Sequence, residues 1–340
     1  MKLLFTIDKL KSCTPVGNKM IIKKDGMLTA YDRQALTPAW SMPVGKEESF
    51  DVTGGRLIFV HGQQVRLYDP EDGRLVVERT LDSAGFCFAG PGAMVVEAPD
   101  GNGHTLLRKI DLLSNDTLWS TTVSSGAGFF LSNDKVMVIS EGEEALTGID
   151  LRSGDTLWTA EKSALLDGGA EHTGVPAEVF GDHFYLFTEK REMVKVALLT
   201  GTVVFTFPSQ TVLATTPAFY EQQVYFSGGQ KIVELDAAGQ VTKEIGYKPY
   251  VTGAPFLFRT YLAVNENYIL LGNTRSCEVL VFNRHTGDFV CSFFTGDKDW
   301  NIRAYLFTAS GDQLLVQMVS TGETNDNRLN IYSLKPDEVS

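Results

Sequence analysis

A chain of 340 residues that is 43% hydrophobic, with a mean hydropathy of −0.04, holds enough apolar material for a large core, which excludes a disordered chain. Its net charge of −12 disfavours nucleic acid and anionic membrane surfaces as partners, and neither is expected, because binding a polyanion is driven largely by phosphate neutralisation and counterion release. No apolar run is long enough to cross a bilayer.

The first element, Lys2-Leu3-Leu4-Phe5-Thr6-Ile7, reads as a strand without a hairpin partner. Asp8 and Lys9 end its apolar stretch, which is too short for a signal peptide and precedes no cleavage-site pattern. The expected address is therefore cytoplasmic. From Cys13-Thr14-Pro15-Val16 onward a regular alternation begins, in which a tight polar turn precedes an apolar run. Gly17-Asn18 stands before Met20-Ile21-Ile22, and Thr53-Gly54-Gly55 before Leu57-Ile58-Phe59-Val60. Similar turns follow at Gly90-Pro91-Gly92, Ser132-Asn133-Asp134, Gly181-Asp182, Glu221-Gln222-Gln223, Asn265-Glu266-Asn267 and Ser310-Gly311-Asp312. These eight turns are spaced by roughly 37 to 49 residues, the period of four-stranded propeller blades.

Between them a second phrase repeats. Ile149-Asp150-Leu151-Arg152-Ser153-Gly154-Asp155-Thr156-Leu157-Trp158 echoes Ile110-Asp111-Leu112-Leu113-Ser114-Asn115-Asp116-Thr117-Leu118-Trp119, and Tyr68-Asp69-Pro70-Glu71-Asp72-Gly73-Arg74-Leu75 is a third copy. Weaker copies run from Tyr31-Asp32 to Trp40, from Leu235-Asp236 to Gly239 and from Phe282-Asn283 to Gly287-Asp288. Val196-Ala197-Leu198-Leu199-Thr200-Gly201 loses the Asp and keeps the glycine. Each phrase reads as a hairpin, with a carboxylate that accepts from backbone amides just downstream and a Gly or Asn able to take positive φ.

With strands A to D in each blade, Ser49 to Val77 supplies A at Phe50-Asp51-Val52, B at Leu57 to Val60, C at Val65 to Tyr68 and D at Leu75-Val76-Val77. The last blade offers A around Tyr305-Leu306-Phe307, B at Leu314-Leu315-Val316 and C at Leu329 to Tyr332, and lacks a D strand. The N-terminal strand is expected to fill that place and remove an exposed sheet edge. The expectation is an all-β, eight-bladed propeller of four-stranded antiparallel blades, one domain over residues 1–340, closed by the N-terminal strand. Seven blades plus an appendage is the alternative.

At Asp150-Leu151-Arg152-Ser153-Gly154-Asp155-Thr156-Leu157-Trp158 the sequence resembles the PQQ-like, or quinoprotein alcohol dehydrogenase-like, propeller repeat. The resemblance implies that Trp40, Trp119 and Trp158 dock between neighbouring blades, with Phe205 as a substitute. It covers nearly the whole chain as architecture and is sharp in three or four blades. The dehydrogenases of that family are exported, longer, and commonly carry a vicinal disulfide over the quinone. This chain has neither an export signal nor adjacent cysteines, so it resembles the binding proteins of the family, and no PQQ and no other cofactor is expected. A propeller lipoprotein of the outer-membrane assembly machinery carries the same repeat, but no lipidation cysteine follows a signal here, and that setting is not expected.

No P-loop, H-E-x-x-H or G-x-S-x-G occurs, and Gly101-Asn102-Gly103-His104 lacks the strand-to-helix context of a dinucleotide site. Cys13, Cys87, Cys277 and Cys291 are scattered and read as free thiols, and the five histidines show no metal-ligand spacing. No catalytic or metal site is expected. The A–B and C–D turns are short, whereas the D–A and B–C loops include Val96 to His104, Ser140 to Ala145, Ser163 to Val175, Gly246 to Pro255, Gly296 to Asn301 and Ser320 to Arg328. Those loops concentrate Glu47, Glu48, Asp100, Glu141, Glu143, Glu144, Asp167, Glu171, Asp297, Asp299, Glu323 and Asp326, mixed with Tyr247, Tyr250 and Trp300 as exposed aromatics. Aromatics within a rim of charge form protein interfaces. The reading is a non-catalytic propeller that binds another, basic protein through this acidic face. Its concrete version is an immunity-type inhibitor of a basic toxin or nuclease. The alternative is an enzyme or small-molecule binder with a site at the central channel.

Overall fold

The structure is a computed structural model, and it describes all residues except 46–48, 54, 82–84, 89–92, 101, 103, 125–127, 133–134, 142–144, 166–177, 188–191, 209–216, 229, 253–259, 275, 297–298, 322–325 and 336–340. Eight four-stranded antiparallel sheets are formed, the blades of an eight-bladed β-propeller, and the seven-bladed alternative is excluded. Blade 1 is β2 (Ser12–Val16), β3 (Lys19–Lys24), β4 (Met27–Asp32) and β5 (Pro38–Pro43). Blade 2 is β6 (Ser49–Thr53), β7 (Arg56–His61), β8 (Gln64–Tyr68) and β9 (Leu75–Thr80); blade 3 is β10 (Gly85–Phe88), β11 (Ala93–Pro99), β12 (His104–Asp111) and β13 (Thr117–Ser124). Blade 4 is β14 (Gly128–Ser132), β15 (Val136–Glu141), β16 (Ala145–Asp150) and β17 (Thr156–Glu161); blade 5 is β18 (Glu178–Phe180), β19 (His183–Phe187), β20 (Glu192–Ala197) and β21 (Val203–Pro208). Blade 6 is β22 (Ala218–Tyr220), β23 (Gln223–Gly228), β24 (Lys231–Leu235) and β25 (Val241–Gly246); blade 7 is β26 (Thr260–Val264), β27 (Tyr268–Asn273), β28 (Glu278–Asn283) and β29 (Phe289–Phe294). Blade 8 is β30 (Trp300–Ser310), β31 (Gln313–Ser320), β32 (Asn327–Ser333) and, as its outer strand, β1 (Lys2–Asp8).

The chain divides into two compact units. Met1–Pro15, Met20–Pro38 and Gln210–Ser340 make one, with blades 6, 7 and 8 and most of β2–β4; Val16–Lys19 and Ala39–Ser209 make the other, with blades 2 to 5. In both, the B strands are buried on both faces and so read as unbroken apolar runs. Successive side chains point to opposite faces: Met94 and Val96 join Ile58 and Leu67 of blade 2, while Val95 between them joins Met137 and Ile149 of blade 4.

The N-terminal strand occupies the predicted place. β1 pairs antiparallel with β32 from Lys2↔Ser333 to Asp8↔Arg328, with Ile7 and Phe5 packed on Met20, Ile22 and Tyr31. Thr6 Oγ1 donates to Asn330 Oδ1 at 3.0 Å.

The repeated phrase forms the C–D hairpins as expected. Asp111 Oδ1 accepts the N–H groups of Leu113 and Ser114 at 2.8 and 2.9 Å, and Asp32, Asp69, Asp150, Asp236 and Asn283 act alike. These backbone donors hold the Asp69 and Asp111 carboxyls below the usual carboxylate range. In six hairpins the residue at the next position offers its carbonyl to the preceding blade. Trp40, Trp119 and Trp158 donate from Nε1 to Pro70 O, Leu151 O and Leu198 O at 2.9, 2.9 and 2.6 Å, the inter-blade docking that the repeat implied. In blades 2, 6 and 8 another donor takes over: Arg79 Nε reaches Leu112 O at 3.2 Å, Lys243 Nζ reaches Arg284 O, and Gln313 Nε2 reaches Arg33 O at 2.7 Å. The hairpin glycine is required twice over. Gly201 has φ +66°, and a Cβ there would lie 2.5 Å from Cδ2 of Trp158.

Candidate functional site

The structure gathers three predicted residues, Asp299, Trp300 and Asp326, at one end of blade 8. Trp300 opens β30 opposite Ser320 of β31. Thr321 N donates to Asp299 O at 2.8 Å, Ser320 N donates to Asp326 O at 2.8 Å, and Asp326 N donates back to Ser320 Oγ at 3.0 Å. The lip thus has a fixed backbone, on which Asp299 is exposed and Trp300 and Asp326 are half-buried. The guanidinium of Arg328 lies 4.1 Å above the Trp300 ring and is ion-paired with Asp8 at the end of β1. The closing strand and the lip therefore share one arginine.

Beneath the lip lies a buried polar layer. Cys277 Sγ donates to Trp300 O at 2.8 Å, and Thr295 N and Oγ1 donate to Cys277 O at 2.8 and 3.1 Å. Asn330 Nδ2 and Tyr332 Oη donate to Thr295 O at 2.8 and 2.9 Å. Burial pushes the Tyr332 phenol up to about 12, so it remains a donor. Glu278, fully buried, accepts from Thr252 N and Oγ1 at 2.9 and 2.6 Å, which ties the loop before blade 7 to β28. At Gly296 a Cβ would meet Met318 Cε at 2.2 Å, so a side chain there would have to move the end of that methionine. Satisfied polar networks of this kind rigidify what rests on them.

Three other predicted positions, Asp100, Tyr247 and Tyr250, have surroundings of their own. Asp100 accepts from Asn102 N and His104 N at 2.7 and 3.0 Å and closes its own turn, and those donors lower its carboxyl from the usual value. The loop there is short, because β11 runs to Pro99 and β12 starts at His104. Tyr247 is not an exposed aromatic: it is 3% exposed and packs with Tyr225, Ile245 and Phe282, because its N–H is held by Gln230 O at the start of a short 3₁₀ turn. Tyr250, 36% exposed, stacks on Phe289 with ring centroids 4.3 Å apart. Glu141 ends β15, and only its backbone is described. Glu47, Glu48, Glu143, Glu144, Asp167, Glu171, Asp297 and Glu323 lie outside the described residues.

Sequence reasoning missed Arg328, Asp8, Thr295, Asn330, Glu278 and Cys277. A signal was present for two of them: Asn330 interrupts Leu329–Ile331, and Glu278 precedes Val279-Leu280-Val281-Phe282, and a polar residue inside a buried apolar strand requires built-in partners. Among the described residues, no group of three His, Cys, Asp or Glu is placed to hold a metal. What the lip offers is two aspartates on a hydrogen-bonded backbone in the same loops as an indole, a composition suited to cationic and amphipathic side chains.

Solved structures share the fold. BamB from Moraxella catarrhalis is 15% identical, with 97% of this chain and 99% of that chain covered, at a TM-score of 0.57. Sqt1 from Saccharomyces cerevisiae is 12% identical over 98% of this chain and 99% of that one, at 0.59. The computationally designed protein Ika8 is 12% identical over 98% and 100%, at 0.62. No curated protein sequence matches the chain. The family model for the outer membrane protein assembly factor BamB matches residues 101–292, more than half of the sequence, and the chain belongs to that family.

Proposed function

We propose that this protein is a non-catalytic, protein-binding propeller that takes a basic partner on the D–A/B–C loop face, with the lip of blade 8 as an anchoring point. The observation that carries the reading is the placement of Asp299, Trp300 and Asp326 on a buried, satisfied polar layer, which presents charge and an indole without freezing loops at the moment of binding. The net charge of −12 supports a cationic partner and fast, salt-sensitive association. Membership of a family named for an assembly factor supports a protein partner. The version in which the partner is a basic toxin or nuclease rests on charge alone. A cytoplasmic location is part of the same proposal.

Affinity purification of the tagged full chain from its native host, at low and at high salt, tests the proposal. A basic protein retained at low salt, released at high salt, and lost on Asp299→Asn/Asp326→Asn/Trp300→Ala supports it. Recovery of no basic protein at low salt overturns it, as does retention of the same protein by the triple variant. Cell fractionation tests the location.

A further inference from the structure

The face that carries the acidic lip is not acidic throughout. Between Asp8 and Asp25 the sequence places five lysines and no acid, in a chain whose acids outnumber its bases by 42 to 30. Lys19 starts β3, at the far end of blade 1, and pairs with Glu71 at 3.6 Å. The other four gather at the end that continues the lip. β1 stops at Asp8, β2 starts at Ser12 and β3 stops at Lys24, so Lys9, Lys11, Lys23 and Lys24 share the D–A/B–C end of the blade.

The backbone fixes how they are presented. Leu10 N donates to Asn327 O at 3.2 Å and Lys11 N to Lys23 O at 2.8 Å, which ties the segment between β1 and β2 to blade 8 on one side and to β3 on the other. Leu10 is buried and packs with Ile7, Met20 and Leu329, while its two neighbours, Lys9 and Lys11, are exposed. Lys9 also has φ +58°, a conformation that favours glycine, so nothing in the local backbone asks for a long side chain there. In β3 Lys23 is buried, and Lys24, next along the strand, takes the opposite face and is half-buried. The charge of this end is unmet within the chain. Among the described residues no carboxylate lies within ion-pair reach of Lys9, Lys11 or Lys24, whereas Lys19, Lys135, Lys231, Lys243 and Lys335 each have one. The acids that bound the segment are Asp8, held by Arg328, and Asp25, beyond Lys24. Three cations without counter-charge on a chain of −12 are a local reversal of sign.

We propose that Lys9, Lys11 and Lys24 form an anion-recognition patch that seats an acidic segment of a partner protein, beside the lip and independent of it. Charge complementarity sets the chemistry, and the surroundings set the source. A nucleic acid strand or an anionic membrane carries charge well beyond the width of one blade and would run onto Asp25, Asp299 and Asp326. A short acidic segment ends within the patch.

Fluorescence anisotropy of dye-labelled hexaglutamate titrated with the full chain, at low and at high salt, tests this. Binding is expected at low salt and should weaken as added ions screen the exposed pairs. Lys9→Gln/Lys11→Gln/Lys24→Gln is expected to weaken it about ten-fold, because three exposed ion pairs are lost together. Lys2→Gln/Arg152→Gln/Lys248→Gln makes the same change in net charge at exposed sites outside the patch and is expected to weaken it by about two-fold or less. The probe has the sign that the acidic lip repels, so this proposal and the cationic partner of the lip fail separately. Circular dichroism of both variants confirms the fold. No binding of hexaglutamate at low salt overturns the proposal, and so does equal binding by the wild-type chain and the patch variant, or an equal loss in the control variant. A single-stranded oligonucleotide or a phosphatidylserine vesicle that binds the same lysines more tightly than hexaglutamate overturns the choice of an acidic protein segment.

Discussion

Replacing Gly201 by alanine should destabilise the protein far more than the same change at Gly181, although both glycines have positive φ, +66° and +61°. The backbone penalty is common to both and is about 1–2 kcal/mol. Only at Gly201 does the new methyl meet an indole, with Trp158 Cδ2 at 2.5 Å and Cε3 at 2.6 Å, whereas nothing lies within 4 Å at Gly181. Trp158 cannot step aside. On its other face Gly148 approaches so closely that a Cβ there would lie 2.4 Å from Cε2, and its ring also stacks with Phe184 at 6.1 Å. Displacing it breaks the 2.6 Å bond to Leu198 O and leaves a buried donor unpaired, about 1–3 kcal/mol, on top of about 1–3 kcal/mol of overpacking. The expected loss is about 3–8 kcal/mol for Gly201→Ala against about 1–2 kcal/mol for Gly181→Ala. Gly287→Ala should resemble Gly181→Ala, because its nearest neighbours are Ile245 Cγ1 at 3.3 Å and the flexible Lys243 Cδ at 3.4 Å. Urea titration followed by far-UV circular dichroism gives all three values. Equal midpoints for the Gly201 and Gly181 variants would refute the sandwich as the reason for the glycine.

Deleting Met1 to Asp8 strips β32 of its outer partner and uncovers Ile331 and Leu329, so the melting temperature and solubility should both fall; unchanged values would show that the strand does not close blade 8. Lys243→Met should cost about 3–5 kcal/mol, since it leaves the Glu234 carboxylate buried without its cation at 3.4 Å, and Lys243→Arg should recover part of that in the same urea titration. Burial and the nearby Lys195 hold the His183 imidazole below its usual value, against a smaller opposing pull from Asp182. Its contribution to stability is therefore present above a pH of about 6.5 and is lost as pH falls toward the lowered folded-state value; His183→Asn should flatten the pH dependence of the melting temperature in that window. Asp69 and Asp111, with carboxyls lowered by backbone N–H groups, add stability that is present above a pH of about 3.9 and lost below it, and Asp111→Asn should remove its share of that acid limb.

The sequence by itself determined the architecture. Blade count, the hairpin phrase and the place of the N-terminal strand are legible because each depends on local chemistry, such as an Asp that accepts its own downstream amides or apolar runs in strands buried on both faces. Beyond the docking tryptophans that the repeat implied, the tertiary structure alone decided which side chains meet across blades. Tyr247 looked like a loop aromatic and is core, because Gln230 O holds its backbone and Phe282, in the next blade, helps cover its ring. Lys243 takes the place of a docking tryptophan, because the ladder that pairs Glu234 with Lys243 sets it over the Arg284 carbonyl. Arg328, absent from any motif, joins Asp8 to Trp300 only once β1 has found β32, a pairing between the two ends of the chain. Contacts of that range depend on strand register and blade order together, and no local window of sequence contains both.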